Sequence, residues 1–320
     1  MSQNTLKGQG AEKTRNGRKF SKRNIKKAIF YASVVALPIL QFVIFYIVVN
    51  FRSFLFAFQN YDIIDGYSFI GFDNFVNFFK NLKTDPKLIY SLKNSTIVYL
   101  CSLIIGSVGA VLFSNYIYKK YRGHSLFRIT LFLPNIVSGI VLIIAYKFLI
   151  DDGVPEIIKF FGGDRIIPPL ANPKYRFPLV LAFTLWFGFG TQVLMYTSTM
   201  SGISPEIVES AQLDGVTPMR ELLHITIPMI FPTFVTFITV GVAGFFTNQM
   251  GLFSFFGANA DPQIYTFGYY LYVNSWLASM QYDYDAFTEL SAMGLIMTMV
   301  AVPLTLGIKK LLEKFGPSCE

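Results

Sequence analysis

Charge is what this 320-residue chain has least of. Only 14% of its residues are charged, while 53% are hydrophobic and 17% aromatic. A soluble domain carries roughly a quarter charged residues, and a body this apolar has too few charges to cover itself with water. Cysteine and histidine are nearly absent, with two of each. Cys101 lies inside an apolar run and Cys319 at the C-terminal end, so no disulfide framework is built, and no Cys/His metal spacing occurs around His124 or His224. No G-x-x-x-x-G-K-[ST] run is present, which excludes a phosphate-cradling P-loop, and neither a Ser/His/Asp arrangement nor a paired-carboxylate motif emerges. No cofactor site is expected in this chain.

What is present is a series of long charge-free runs. Six stretches reach the length needed to cross a ~30 Å hydrocarbon layer: 28–49, 95–118, 129–150, 177–200, 225–246 and 287–308. In lipid such runs satisfy their backbone only as helices, and the short alternating strands of a barrel are not seen. The expected fold is therefore an all-α membrane protein with six transmembrane helices. The first run reads as a retained span, being too long for a signal core and lacking a small-residue cleavage site. Basic residues crowd the N-terminal tail (Lys7 to Lys27, against a lone Glu12), the turn after the second span (Lys119, Lys120, Arg122, Arg128) and the C-terminal tail (Lys309, Lys310, Lys314). With six spans these share one side, which the positive-inside rule makes cytoplasmic. The net charge of +8 then reports topology first and anionic-lipid contact second. Nucleic-acid binding is disfavoured, since the basic tail lacks interleaved aromatics. The organisation read from these features is a basic tail (1–27), a six-span domain in the cell membrane (28–312) and a short C-terminal tail (313–320). Outside, the Tyr- and Phe-rich stretch 253–285 predicts an interfacial helix near 263–278.

One inner segment breaks the charge rule. In 201–226 the acids Glu206, Glu209, Asp214 and Glu221 outnumber Arg220. Ser204 and Pro205 start one helix, Gly215 suits a left-handed stop, and Thr217 and Pro218 start another, whose Met219, Leu222 and Leu223 share a face. By itself this is an amphipathic hairpin lying on the inner membrane surface. The run E-S-A-Q-L-D-G-V at 209–216, followed by I-T-I-P at 225–228, resembles the cytoplasmic loop of permease subunits of binding-protein-dependent ABC importers, which reads E-A-A-x-x-D-G-A and then I-x-L-P. Glu209, Ala211, Asp214, Gly215, Ile225 and Pro228 match; Ser210, Val216 and Ile227 are conservative departures. "LFRITLFLPNIV" (126–137), "GFDNFVNFF" (71–79) and "LWFGFG" (185–190) resemble further parts of the family and point to its carbohydrate-uptake subclass, similar to the maltose and glycerol-phosphate permeases. The outer loop departs from that pattern, reading GANADP where the family reads G-G-P.

The resemblance implies the type I ABC importer permease fold and a sugar or oligosaccharide as cargo. It also implies partners: a second homologous permease, two cytoplasmic ATPase subunits holding ATP and Mg, and an extracytoplasmic solute-binding protein. The hairpin would then be a coupling helix, with Glu209, Ala211, Asp214, Gly215 and Pro228 as its motif residues. Carried over from maltose-type relatives, the substrate path falls on Asn135, Thr184, Phe187, Gly188, Thr191 and Asn248. Thr184, Phe187, Gly188 and Thr191 also share a helical face by spacing alone; packing between helices explains such residues equally well. Other cargoes (a phosphorylated polyol, a peptide) and an ion-coupled transporter stand as alternatives. Ion coupling needs ionisable groups at membrane depth, whereas here every acid sits in a loop, tail or span end, with Glu289 and Lys147 expected to snorkel outward.

Overall fold

The computed structural model describes residues 22–164 and 167–317; the tail residues 1–21 and Cys319 lie outside them. The chain divides into two units after Ser53. In the first, a helix Lys22–Phe42 containing Pro38 passes through a π-helical stretch Val43–Val48 into Val49–Phe56. Its apolar part, Ile29–Phe56, is 28 residues long and sufficient for one crossing.

The second unit opens with a small antiparallel hairpin, Gln59–Asp62 against Gly66–Phe69, and a helix Asp73–Thr84. The second span then runs Pro86–Tyr118, more than two turns longer at its start than hydropathy suggests. The reason is local: the Asp85 carboxylate accepts from the Lys87 amide at 2.9 Å and Pro86 fits the first turn, so the helix begins among polar residues. The third span is not the single run expected over 129–150. It is a pair of helices, His124–Asn135 and Gly139–Phe160, bent by 102°. Pro134 has no amide to donate back and its ring crowds the preceding turn; the chain tightens into a 3-10 turn at Leu133–Asn135 and becomes extended at Ser138. The fourth span, Pro173–Ser201, starts on an Asn172 cap. The fifth, Pro218–Thr247, absorbs the second helix of the hairpin through a π-helical stretch Leu222–Thr226, so it begins earlier than expected. The sixth is Tyr284–Phe315. Among the described residues, five helices are long and apolar enough to cross a membrane, and six spans result when the bent pair counts as one.

Between the fifth and sixth spans the chain folds back against the bundle. A short helix Leu252–Phe256 and a 3-10 turn Pro262–Ile264 lead to the helix Phe267–Gln281. This last helix was expected at the interface. Instead it packs inward, with Phe267 and Tyr269 fully buried and Val273 nearly so. Tyr269 donates to the Gly257 carbonyl at 2.7 Å; burial, reinforced by Tyr265, pushes its phenol up to about 12, so it remains a donor across the physiological range. Lys147 also departs from expectation, turning in to donate to the Phe255 carbonyl at 2.7 Å instead of snorkelling.

Buried non-helical backbone needs donors from elsewhere. The buried Asn94 of the second span supplies them, its amide reaching the carbonyls of Gln263 (2.8 Å) and Tyr265 (2.9 Å). Beside it, Ser95 accepts from the Phe267 amide at 2.9 Å. Asn94→Leu strands both carbonyls and is expected to destabilise the protein by roughly 2 kcal/mol or more. Thermal unfolding of the detergent-purified protein checks this, with the exposed Asn81→Leu as a control that leaves the midpoint unchanged.

Candidate functional site

Two clusters of motif residues emerge, one at the hairpin and one along the fourth span. The hairpin's first helix is Pro205–Leu213 and its second Pro218–Glu221. Ser204 and Thr217 occupy the two N-cap positions, but neither hydroxyl makes a capping bond; proline geometry alone starts both helices. The turn between them is closed by Val216 N–H to the Ala211 carbonyl (3.0 Å) and Gly215 N–H to that of Gln212 (3.1 Å). Gly215 has φ +73°, a left-handed conformation that an L side chain resists.

The hairpin has two unlike sides. Ile203, Val208, Ala211 and Leu222 are buried, and Ile203, Val208 and Leu222 pack with Ile117, Tyr196 and Met200 of the second and fourth spans. Ala211, of the motif residues, is thus buried in the chain itself. On the outer side stand Glu206, Glu209, Asp214, Gly215 and Arg220 with Leu213, Met219 and Leu223. Leu213 is 89% exposed. Of Met219, Leu222 and Leu223, which share a face by spacing, only Leu222 is buried and the other two are exposed. Glu209 has no side-chain partner among the described residues. Glu221 is turned inward and paired with Lys119. Pro228 is half-buried just past the π-helical stretch that joins the hairpin to the fifth span.

Along the fourth span, the predicted path residues meet in pairs. Thr191 donates to the Asn135 side-chain carbonyl at 2.8 Å, joining the fourth span to the bend of the third. Thr184 donates to its own helix at Val180 (2.9 Å) and lies 3.4 Å from the Met250 carbonyl. Asn248 accepts from the Met250 amide at 2.8 Å through its side chain, and its carbonyl accepts from Thr266 at 2.7 Å. Asn248 thus holds the turn at the end of the fifth span. The void it lines with Ser95, Tyr99, Gly244 and Thr266 measures about 10 Å³, space for at most a single water. Phe187 stacks on Phe183 and rests against Gly139; Gly188 and Thr191 are exposed.

Sequence spacing missed a buried polar seam beside this face. Polar atoms of Asn115, Asn135, Gln192 and Thr197 are buried without a hydrogen-bond partner among the described residues, and the Tyr196 hydroxyl lies buried near Ser107. Asn135 and Gln192 are visible in the sequence as neutral polar groups within apolar runs; Asn115, Tyr196 and Thr197 carry no such signal.

This architecture is that of the membrane subunits of ABC importers. The structure superposes on a crystal structure of a bacterial ABC transporter involved in the import of the acidic polysaccharide alginate, with TM-score 0.75 at 21% identity, covering 92% of this chain and 98% of that one. The same transporter in complex with an alginate pentasaccharide-bound periplasmic protein gives 0.73. Residues 102–315 match the family of binding-protein-dependent transport system inner membrane components, and the chain belongs to that family. Among curated relatives, it is 24% identical over 309 residues to the polygalacturonan/rhamnogalacturonan transport permease YteP of Bacillus subtilis, covering 89% of this chain and 88% of the relative. It is 22% identical over 281 residues to the multiple sugar-binding transport permease MsmF of Streptococcus mutans, covering 87% and 93%.

The two glycines of the fourth-span motif separate packing from access. A Cβ on Gly190 would sit 1.9 Å from the Leu131 carbonyl oxygen, whereas one on Gly188 would meet nothing within 4 Å. Gly190→Ala is expected to cost roughly 3 kcal/mol or more by forcing the third span away. Gly188→Ala should change stability by less than about 1 kcal/mol, in the stabilising direction that helix propensity favours. Unfolding midpoints of the two variants check the contrast.

Proposed function

We propose that this chain is a transmembrane subunit of an ATP-driven importer that carries a sugar or oligosaccharide delivered by an extracytoplasmic binding protein. The observation that carries the reading is the two-sided hairpin. One side is cemented to the second and fourth spans, and the other presents Leu213 and Met219 among Glu206, Glu209 and Asp214 around a left-handed glycine. Apolar anchors ringed by charge suit a protein partner better than open water.

In this reading the hairpin and both termini are cytoplasmic, and the partner is a pair of ATPase subunits that bind ATP and Mg. ATP-driven closure moves the hairpin and opens the path outward; hydrolysis resets it. A second, homologous permease faces this one, and the path lies between them along Asn135, Thr184, Phe187, Gly188, Thr191 and Asn248. The exposed Gly188 and Thr191 are the members of that set available to such a shared cavity. A saccharide cargo is supported by the relatives, whose names refer to polygalacturonan and rhamnogalacturonan, multiple sugars and galactooligosaccharides. Neutral hydroxyls and amides with an aromatic face are suited to sugar rings.

The test is ATP-dependent oligosaccharide uptake by the reconstituted complex. Gly215→Pro, which cannot adopt φ +73°, should abolish uptake. Glu209→Lys, at an exposed position, should leave the chain folded while weakening recovery of the ATPase at least roughly tenfold. Normal uptake in both variants, or a wild-type chain that recovers no ATPase, would count against the proposal.

A further inference from the structure

Of the four acids in the hairpin, Glu221 faces the wrong way for a docking surface. It is 3% exposed, while Glu206, Glu209 and Asp214 are open to solvent. Its carboxylate accepts from the ammonium of Lys119, which belongs to the turn after the second span, 102 residues away in sequence. Both side chains are largely out of solvent, at 16% and 4% exposure.

The lysine end of this pair is itself fixed. Lys119 N–H closes on the Asn115 carbonyl at 2.9 Å and Lys120 N–H on that of Ile117 at 3.0 Å. Lys120 is held at φ +52°, an uncommon conformation for a residue with a side chain. The Tyr116 hydroxyl donates to the Arg122 carbonyl, and the Tyr116 ring packs on Tyr121 and Phe127, closing the turn on itself. Lys119 is therefore presented by a shaped loop. Glu221, at the last position of the second hairpin helix, sits directly before the π-helical stretch where hairpin becomes fifth span.

A buried ion pair is a poor choice for stability alone, because apolar side chains of similar volume hold two surfaces at lower desolvation cost. What it adds is direction. The apolar contacts of Val208 and Leu222 with Ile117 and Met200 resist separation but have no preferred register. A charge pair between two constrained backbones resists sliding as well. Beyond Lys119 the second span is keyed into the fourth. Ser114 donates to the Val193 carbonyl at 2.9 Å, and a Cβ on Gly109 or Gly106 would crowd Phe189 or Gln192 at 3.3 Å, so the two spans approach closely there.

We infer that the Lys119–Glu221 pair is the strut that carries hairpin displacement into the second span, and through it to the Asn135–Thr191 face of the fourth. Both are positioning residues, distinct from the outward residues that contact the ATPase. The inference rests on the hairpin being the receiver of an ATPase stroke, and the experiment separates the two. In the full reconstituted complex, Glu221→Gln and Lys119→Met should still recover the ATPase and hydrolyse ATP. Sugar imported per ATP should fall roughly tenfold, the size of an ordinary coupling between sites. Reversing the pair, Lys119→Glu with Glu221→Lys, should restore most of that ratio, which loss of a purely structural contact would not do. Single variants with an unchanged ratio, or a reversal no better than the singles, overturn the strut; absence of ATPase from the wild-type complex overturns the underlying reading instead. Where a single variant does not assemble, Lys119→Cys with Glu221→Cys, in a chain carrying Cys101→Ser and Cys319→Ser, is bridged by a short bis-maleimide. Import that is low before bridging and regained after it supports a strut moving as one body. Full import before bridging, or none regained after it, overturns the proposal.

Discussion

Inside a hydrocarbon layer a backbone amide or carbonyl has no water to turn to, and this single constraint sorts the polar residues of the chain. Where the spans are continuous helices the backbone satisfies itself, and the spans are built almost entirely of apolar residues. Where the chain breaks, side chains must complete the accounting. The segment from Asn248 to Phe267 is the largest such break. It is held by Asn94, Ser95 and Thr266, together with the side-chain carbonyl of Asn248. The bend after Pro134 is the second, and Asn135 is tied there to Thr191. Polar groups at membrane depth have structural employment first, and any role toward cargo is added to that. Asn248 commits its side-chain oxygen to a turn and Thr191 its hydroxyl to Asn135, so both are employed in the fold.

The same constraint explains what the sequence makes legible. The hairpin at 201–226 is readable because its determinants are local: Pro205 and Pro218 begin helices, and Gly215 takes the left-handed turn that its type permits. The spans are readable as apolar runs, though not their ends. Asp85 starts a helix among lysines, and the fifth span continues through the hairpin without a hydropathic signal. The bend of the third span is hidden for the same reason, since Pro134 lies in a run that stays apolar on both sides. Non-local pairings are not legible at all. Nothing in the sequence around Glu221 foretells its burial against a lysine 102 residues away, while Glu209 of the same hairpin is exposed. The inward turn of the helix Phe267–Gln281 was likewise masked, because its tyrosines and phenylalanines suit an interface and a core equally well.

The two ends of the bundle use charge in different ways. At the end away from the hairpin, the Arg176 guanidinium meets Asp261 at 2.8 Å and also donates to the carbonyls of Leu170 and Ala171, while Asp151 accepts from the Leu170 amide. One arginine there gathers the start of the fourth span, the preceding loop and the segment between the fifth and sixth spans, and each of its contacts is backed by another. At the hairpin end, a single lysine–carboxylate pair spans the joint between the second span and the hairpin, with no second charged contact between those two elements among the described residues. A multiply tied guanidinium fixes several backbones in one arrangement. The single pair is joined there by the apolar packing of Ile203, Val208 and Leu222, which resists separation without adding a second charged tie. The π-helical stretch Leu222–Thr226 begins directly after Glu221, so the helix departs from regular geometry beside the pair.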